Sequence, residues 1–211
     1  MDHEFERRRK ALEDSYCYKR DQELIERLAQ RQAKAERLAG LAQATGIQDQ
    51  AFLERLGELE IRAETLDALQ LVPLVEIAWA DGKVHAPQRE AVLSAAKQAG
   101  LDKNYDAYHL LESWLDARPD ETLLLAWKQY LCCLSRRMTA QQMQALQCET
   151  MDHALFVAEA AGGFFGFHRV HREERAKLDQ LAAMLNEIAA AFTCPESAKA
   201  DADCELVQAD G

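Results

Sequence analysis

An all-α fold is predicted for this chain: a helical bundle of two related helical hairpins with a long charged helix in front. Three observations carry that expectation. Apolar residues recur at helical spacing in almost every segment. Turn-formers are scarce, with 9 Gly and 4 Pro in 211 residues, too few for a many-stranded sandwich. A stretch near residue 80 also has a counterpart near residue 161.

The charged helix comes first. Residues 4–44 carry a thin apolar stripe of Phe5, Leu12, Tyr16, Leu24, Leu28, Ala35, Leu38 and Ala42 on a dense background of charge. Spacings of seven, four and three on such a background predict a long exposed helix with a narrow docking seam. Gly46 marks its stop, and Asp49 caps a short helix that ends near Gly57. From Ala63 to Ala80 the pattern changes. Leu71 to Ala80 is apolar on every face except at Glu76, which predicts a central, buried helix with a kink or a restart at Pro73. Asp81-Gly82 ends it, and a second helix runs from about Ala86 to Ala99. Residues 104–117 and 120–136 give two amphipathic helices, Thr139 caps a long helix to about Ala161, and a last helix covers about Arg172 to Phe192. The expected organisation is thus a charged helix over 1–46, a helical domain over 47–192 and a disordered acidic tail over 193–211.

Composition excludes several classes of function. With 48% hydrophobic and 29% charged residues the chain is not globally disordered. Its net charge of -11 argues against nucleic acid and anionic membranes as partners, and permits cation binding or docking on a basic surface. No stretch approaches the roughly 18 apolar residues that a spanning helix needs, and the opening Met1 to Lys10 contains no apolar core of a secretory signal. None of the six cysteines forms Cys-x-x-Cys, and Cys132 and Cys133 are adjacent, so free thiols in a reducing cytoplasm are expected.

The internal repeat pairs Ala80-Asp81-Gly82-Lys83-Val84-His85 with Ala161-Gly162-Gly163 and Arg169-Val170-His171. The second copy carries a five-residue insertion, Phe164 to His168. Each copy is a buried helix, a loop of small residues and an amphipathic helix, and two such hairpins can pack into one core. At these residues the chain resembles a known family. Ile77-Ala78-Trp79-Ala80-Asp81-Gly82-Lys83-Val84 with Gln88-Arg89, and Ala160-Ala161-Gly162-Gly163-Phe164-Phe165-Gly166-Phe167 with Val170 and Glu174, resemble the TerB-like (tellurite-resistance) fold over residues 65–190. The resemblance implies an all-helical domain, a weak, calcium-like divalent-cation site built from loop and helix-start carboxylates, a link to metal or oxyanion stress, and no catalysis. The chain departs from the family pattern at Gln88, where an acid is usual, and at Gly162, where Asp is expected, which leaves Asp81 and Glu174 as the carboxylate pair. Phe5, Arg8, Lys10, Glu13 and Tyr16 are similar in spacing to the opening of the zeta-type inhibitor subunit of bacterial F-type ATPases.

Three carboxylates are therefore candidate metal ligands: Glu76, Asp81 and Glu174. Glu76 stands alone in an apolar helix, where an ionised carboxylate needs a cation, a hydrogen-bond network or a basic partner from a neighbouring helix. Asp81 can offer oxygen to a hard cation or serve an ordinary Asp-Gly turn. Five residues of helix rotate by about 500°, so Asp81 and Glu76 reach one ion only if the helix ends before Asp81. Gln88 and Glu174 head the apolar stripes of their helices, either as capping-box groups reaching back to His85 and His171 or as groups aimed into the hairpin mouths. Glu90 reads as solvated, and Glu159 has the status of Glu76 with less support. His168, His171 and Glu174, spaced by three, form a further candidate metal set, whereas His85, His109 and His153 show no partner pattern. Phe164, Phe165 and Phe167 form either a recognition patch or a lid over the core. No phosphate-binding loop or nucleophile elbow is present.

The expected function is a non-enzymatic binding or scaffold module. The alternative is a regulatory protein whose helix over residues 4–44 docks on and modulates a partner protein. An enzyme is a third option, favoured by the Glu76 anomaly alone.

Overall fold

The first helix, α1 (Asp2–Thr45), is a single uninterrupted rod. The computed structural model describes residues 2–103, 105–160 and 170–193, with the backbone alone for 2–6, 8, 9, 11–15 and 191–193. Residues 16–37 of α1 are exposed, and the helix meets the rest of the chain through Lys34, which pairs with Glu54, and through its last two turns. There Leu41 is fully buried, Leu38 and Ala42 pack beside it, and the Thr45 hydroxyl donates to the Leu41 carbonyl at 2.7 Å. The charged helix is thus an arm for most of its length and part of the core at its C-terminal end.

Gly46 stops the arm at φ +67°, a left-handed conformation that a side chain disfavours. Helix C-termini leave carbonyls without intrahelical donors. Here Arg137 supplies donors, reaching the carbonyls of Thr45 at 3.3 Å and Gly46 at 2.7 Å. The guanidinium also brings positive charge to the negative end of the helix dipole.

The body follows in short elements. Helix α2 (Gln50–Glu58) starts at Asp49, whose Oδ1 accepts from the Phe52 N–H at 3.1 Å, and buries Phe52, Leu53 and Leu56. Residues Ala63–Leu71 form a 3-10 segment that continues into α3 (Val72–Ala78). Pro73 lies in the first turn of α3, where its missing N–H is not needed, so the stretch from Ala63 to Ala78 is a 3-10 segment followed by a restarted helix. Every residue of α3 except Glu76 is buried. The helix packs against α4 (Ala86–Gln98), α5 (Asp106–Asp116), α6 (Thr122–Ser135), α7 (Ala140–Ala160) and α8 (Arg172–Thr193). A helix apolar on all sides finds its free-energy minimum at the centre of such a bundle.

The two hairpins suggested by the repeat, α3–α4 and α7–α8, interleave: α7 lies against both α3 and α4, and α8 against α3. Trp79 and Leu181 belong to one continuous apolar cluster. Trp79 also donates its indole N–H to the Trp114 carbonyl at 2.8 Å, tying the end of α3 to the last turn of α5. Thr139 and Gln142 form a reciprocal capping box at the start of α7, with bonds of 2.8 and 3.2 Å. Among the described residues there is no strand, and no helix is long and apolar enough to cross a membrane. The glycine-rich loop with Phe164, Phe165 and Phe167, His168, and the acidic stretch from residue 194 lie outside the described residues.

Because a Cβ on Gly46 would collide with the Arg137 guanidinium and take the left-handed conformation, Gly46→Ala has two costs. Together they should lower unfolding stability by about 1–2 kcal/mol. Arg137→Ala should lose about 1 kcal/mol without strain. Chemical denaturation of the two variants and the double variant checks this, with less-than-additive losses expected because both act on one contact.

Candidate functional site

The two repeat-related helices start alike. His85 precedes α4 and His171 precedes α8, and in each helix the third residue is a polar side chain that heads the apolar stripe. Gln88 accepts from the His85 backbone N–H through Oε1 at 3.0 Å, and Glu174 accepts from the His171 N–H through Oε2 at 2.8 Å. These are capping-box bonds, which satisfy a backbone donor that the helix itself leaves open. Both side chains are buried, each with 1% exposure.

Their remaining atoms face each other. Gln88 Nε2 donates to Glu174 Oε1 at 2.9 Å. The identities of the two residues follow from their donor inventories. Once each has used one oxygen on its own backbone N–H, a glutamine has only its NH2 left and a glutamate only an oxygen. Two glutamines would set NH2 against NH2. Two glutamates would set oxygen against oxygen and would need a proton or a cation between them. One of each closes the contact with neither.

Glu174 is perturbed by its surroundings. Burial pushes its carboxyl above the usual glutamate range, the His171 N–H opposes that rise, and the nearby Asp81 charge adds to it. Asp81 itself is held below the usual range. Desolvation works against its ionisation, but hydrogen bonds from His85 and the Lys83 backbone outweigh it. Asp81 Oδ1 accepts from the Lys83 N–H at 3.2 Å, and Oδ2 lies 3.0 Å from His85 Nε2. Helix α3 ends at Ala78, so Asp81 sits in a turn that Gly82 completes at φ +89°.

Glu76 has a different partner. Its Oε2 accepts from Lys177 Nζ of α8 at 3.1 Å, with the two side chains 13% and 29% exposed. Of the three carboxylates predicted as ligands, Asp81 acts on Glu174 through its charge alone, and Glu76 is paired with Lys177. Among the described residues no group of three or more His, Cys, Asp or Glu is placed to hold a metal ion. Each Glu174 oxygen already accepts a hydrogen bond, from Gln88 or from the His171 N–H, so a cation entering there competes with these donors.

Of the second metal set, His168 lies outside the described residues, and His171 serves through its backbone N–H. His85 is the residue that sequence reasoning missed; the available signal was its position four residues after Asp81 across the turn. Glu90 is exposed, as expected, and His109 pairs with Glu112 at 3.3 Å. Cys17, Cys132, Cys133 and Cys148 are free, and burial pushes the Cys132 and Cys133 thiols above their usual value. A raised thiol carries less of the nucleophilic thiolate. Compared with known proteins, the chain matches no protein-family model, no curated protein and no solved structure.

The donor matching predicts a double-mutant signature. Glu174→Gln and Gln88→Glu should each lose about 1–3 kcal/mol by setting like groups face to face. The exchanged pair Gln88→Glu/Glu174→Gln should recover most of the loss in urea denaturation. The pH dependence follows from the raised Glu174 value. Its contribution is full below the unfolded carboxylate value and is lost as pH rises through the folded value. The stability advantage of the native chain over Glu174→Gln should therefore grow as pH falls through that window. Asp81, with a lowered value, changes in the opposite sense.

Proposed function

We propose that this chain is a non-enzymatic, TerB-like binding module whose helical arm docks on a partner protein and thereby tethers or regulates it. The observation that carries this reading is the exposure of Tyr16, Leu24, Ile25 and Leu28, between 48% and 65%, on a helix anchored in a well-packed body. A solitary helix of this polarity has little intrinsic reason to display that many large apolar groups. Docking on a partner supplies one. Its cytoplasmic placement and its link to metal or oxyanion stress belong to the same reading. They rest on the free thiols and on the resemblance of residues 65–190 to the TerB-like fold.

Leu24→Asp/Leu28→Asp in the full chain should leave the melting temperature within about 2 °C, since exposed sites contribute little to folding. It should also abolish recovery of the proteins that the unaltered chain captures and that crosslink to its arm. Equal recovery of those proteins by both would exclude the arm as the docking element.

A second reading, weak binding of a calcium-like divalent cation, is favoured by the electrostatic proximity of Asp81 and Glu174. Millimolar calcium should then raise the melting temperature of the native chain, and Asp81→Ala or Glu174→Ala should remove the rise. A flat response in the native chain eliminates this reading. Gln88→Glu, which places a second carboxylate opposite Glu174, should bind the cation more tightly than the native chain.

A further inference from the structure

We propose that the arm's partner is an acidic amphipathic helix that packs along α1 as α2 packs at its base; this rests on the docking reading above and names the chemistry of the docked element. The arm carries its own pattern for such a partner. Leu24, Leu28, Ala35, Leu38 and Ala42 follow one another at intervals of four, seven, three and four, a seam of coiled-coil spacing. Its lower end is occupied, because Leu38 and Ala42 pack on the core. Its upper end, Leu24 and Leu28, is 48% and 62% exposed.

A second row runs beside the seam. Arg20, Arg27, Lys34 and Leu41 are each seven residues apart and so lie along one edge of the helix. The structure shows how the lower rungs are met. Leu41 is buried in the core, and Lys34 Nζ lies 3.2 Å from Glu54 Oε1 on α2. That contact holds the Glu54 carboxyl below its usual range. Among the described residues Arg20 and Arg27, the next rungs, have no acidic partner. Arg31 stands in the seam itself, between Leu28 and Ala35, and calls for an acid opposite it.

The complement is therefore specified: apolar residues facing Leu24 and Leu28, and carboxylates at seven-residue spacing facing Arg20 and Arg27. Charge supports the choice of sign. From Tyr16 to Lys34 the arm has five basic and three acidic side chains, in a chain whose net charge is -11. Flanking charges of this kind set partner choice and orientation in helix pairs.

The test uses the full chain and two designed peptides of about four heptads, Leu at the seam positions and either Glu or Lys at both flanks. Fluorescence anisotropy should show the Glu peptide binding at least about tenfold more tightly than the Lys peptide. Leu24→Asp/Leu28→Asp and Arg20→Glu/Arg27→Glu should each weaken the Glu peptide by about tenfold or more, and the second should take up the Lys peptide instead. Absent binding, equal binding of the two peptides, or insensitivity to the variants overturns the proposal, even where arm-dependent capture of native partners persists. Sedimentation showing self-association that Leu24→Asp/Leu28→Asp abolishes also overturns it, by making a second copy the occupant. Loss of arm-dependent capture together with intact peptide binding would instead defeat the docking reading while leaving the helix chemistry standing.

Discussion

One hydrogen bond, from the Gln88 amide to the Glu174 carboxylate, joins the two halves of the body at their most polar buried point. Each side chain already completes the first turn of its own helix, so the bond couples the starts of α4 and α8 as well as their contents. A buried polar network is favourable only when every member is satisfied. Here both are, and among the described residues no buried side-chain nitrogen or oxygen is left without a partner. The starts of α4 and α8 must meet in one geometry for this to hold.

The same economy appears at Glu76. An apolar helix at the centre of a bundle gains by burying every face, yet this one keeps a carboxylate. Lys177 meets it from α8, just one turn beyond Glu174. Helix α8 therefore reads the central hairpin twice, once through a neutral amide and once through an ammonium. Partly buried pairs of this kind contribute modestly to stability, and removing one partner costs more than the pair is worth.

Much of this was legible in the residues. Gly46, Asp49, Pro73, Thr139 and Gly82 each mark a local conformation through their own chemistry, and the structure places a helix end, a cap or a turn at each. The reach of Gln88 and Glu174 to His85 and His171 was one of the two readings that their place at the third helical position left open. What spacing along the chain does not encode is which side chains meet across it. The Gln88–Glu174 contact joins residues 86 apart, Glu76–Lys177 joins residues 101 apart, and Arg137 reaches back 92 residues to Thr45. Pairings at that range depend on tertiary packing. The 3-10 geometry of Ala63–Leu71 was also hidden, because nine residues of mixed apolar and polar positions do not separate a three-residue turn from a 3.6-residue one.

The Arg137 contact at the foot of α1 has a mechanical consequence. The direction of the rod is set where it meets the body, by Leu41 in the core, the Lys34–Glu54 pair and the Arg137 bonds beyond its last turn. Arg7 lies about 50 Å from Leu41 at the usual rise per residue, and a tilt of about 10° at the foot swings it sideways by about 9 Å. The angular tightness of these few contacts at the foot thus governs how wide a volume the far end sweeps.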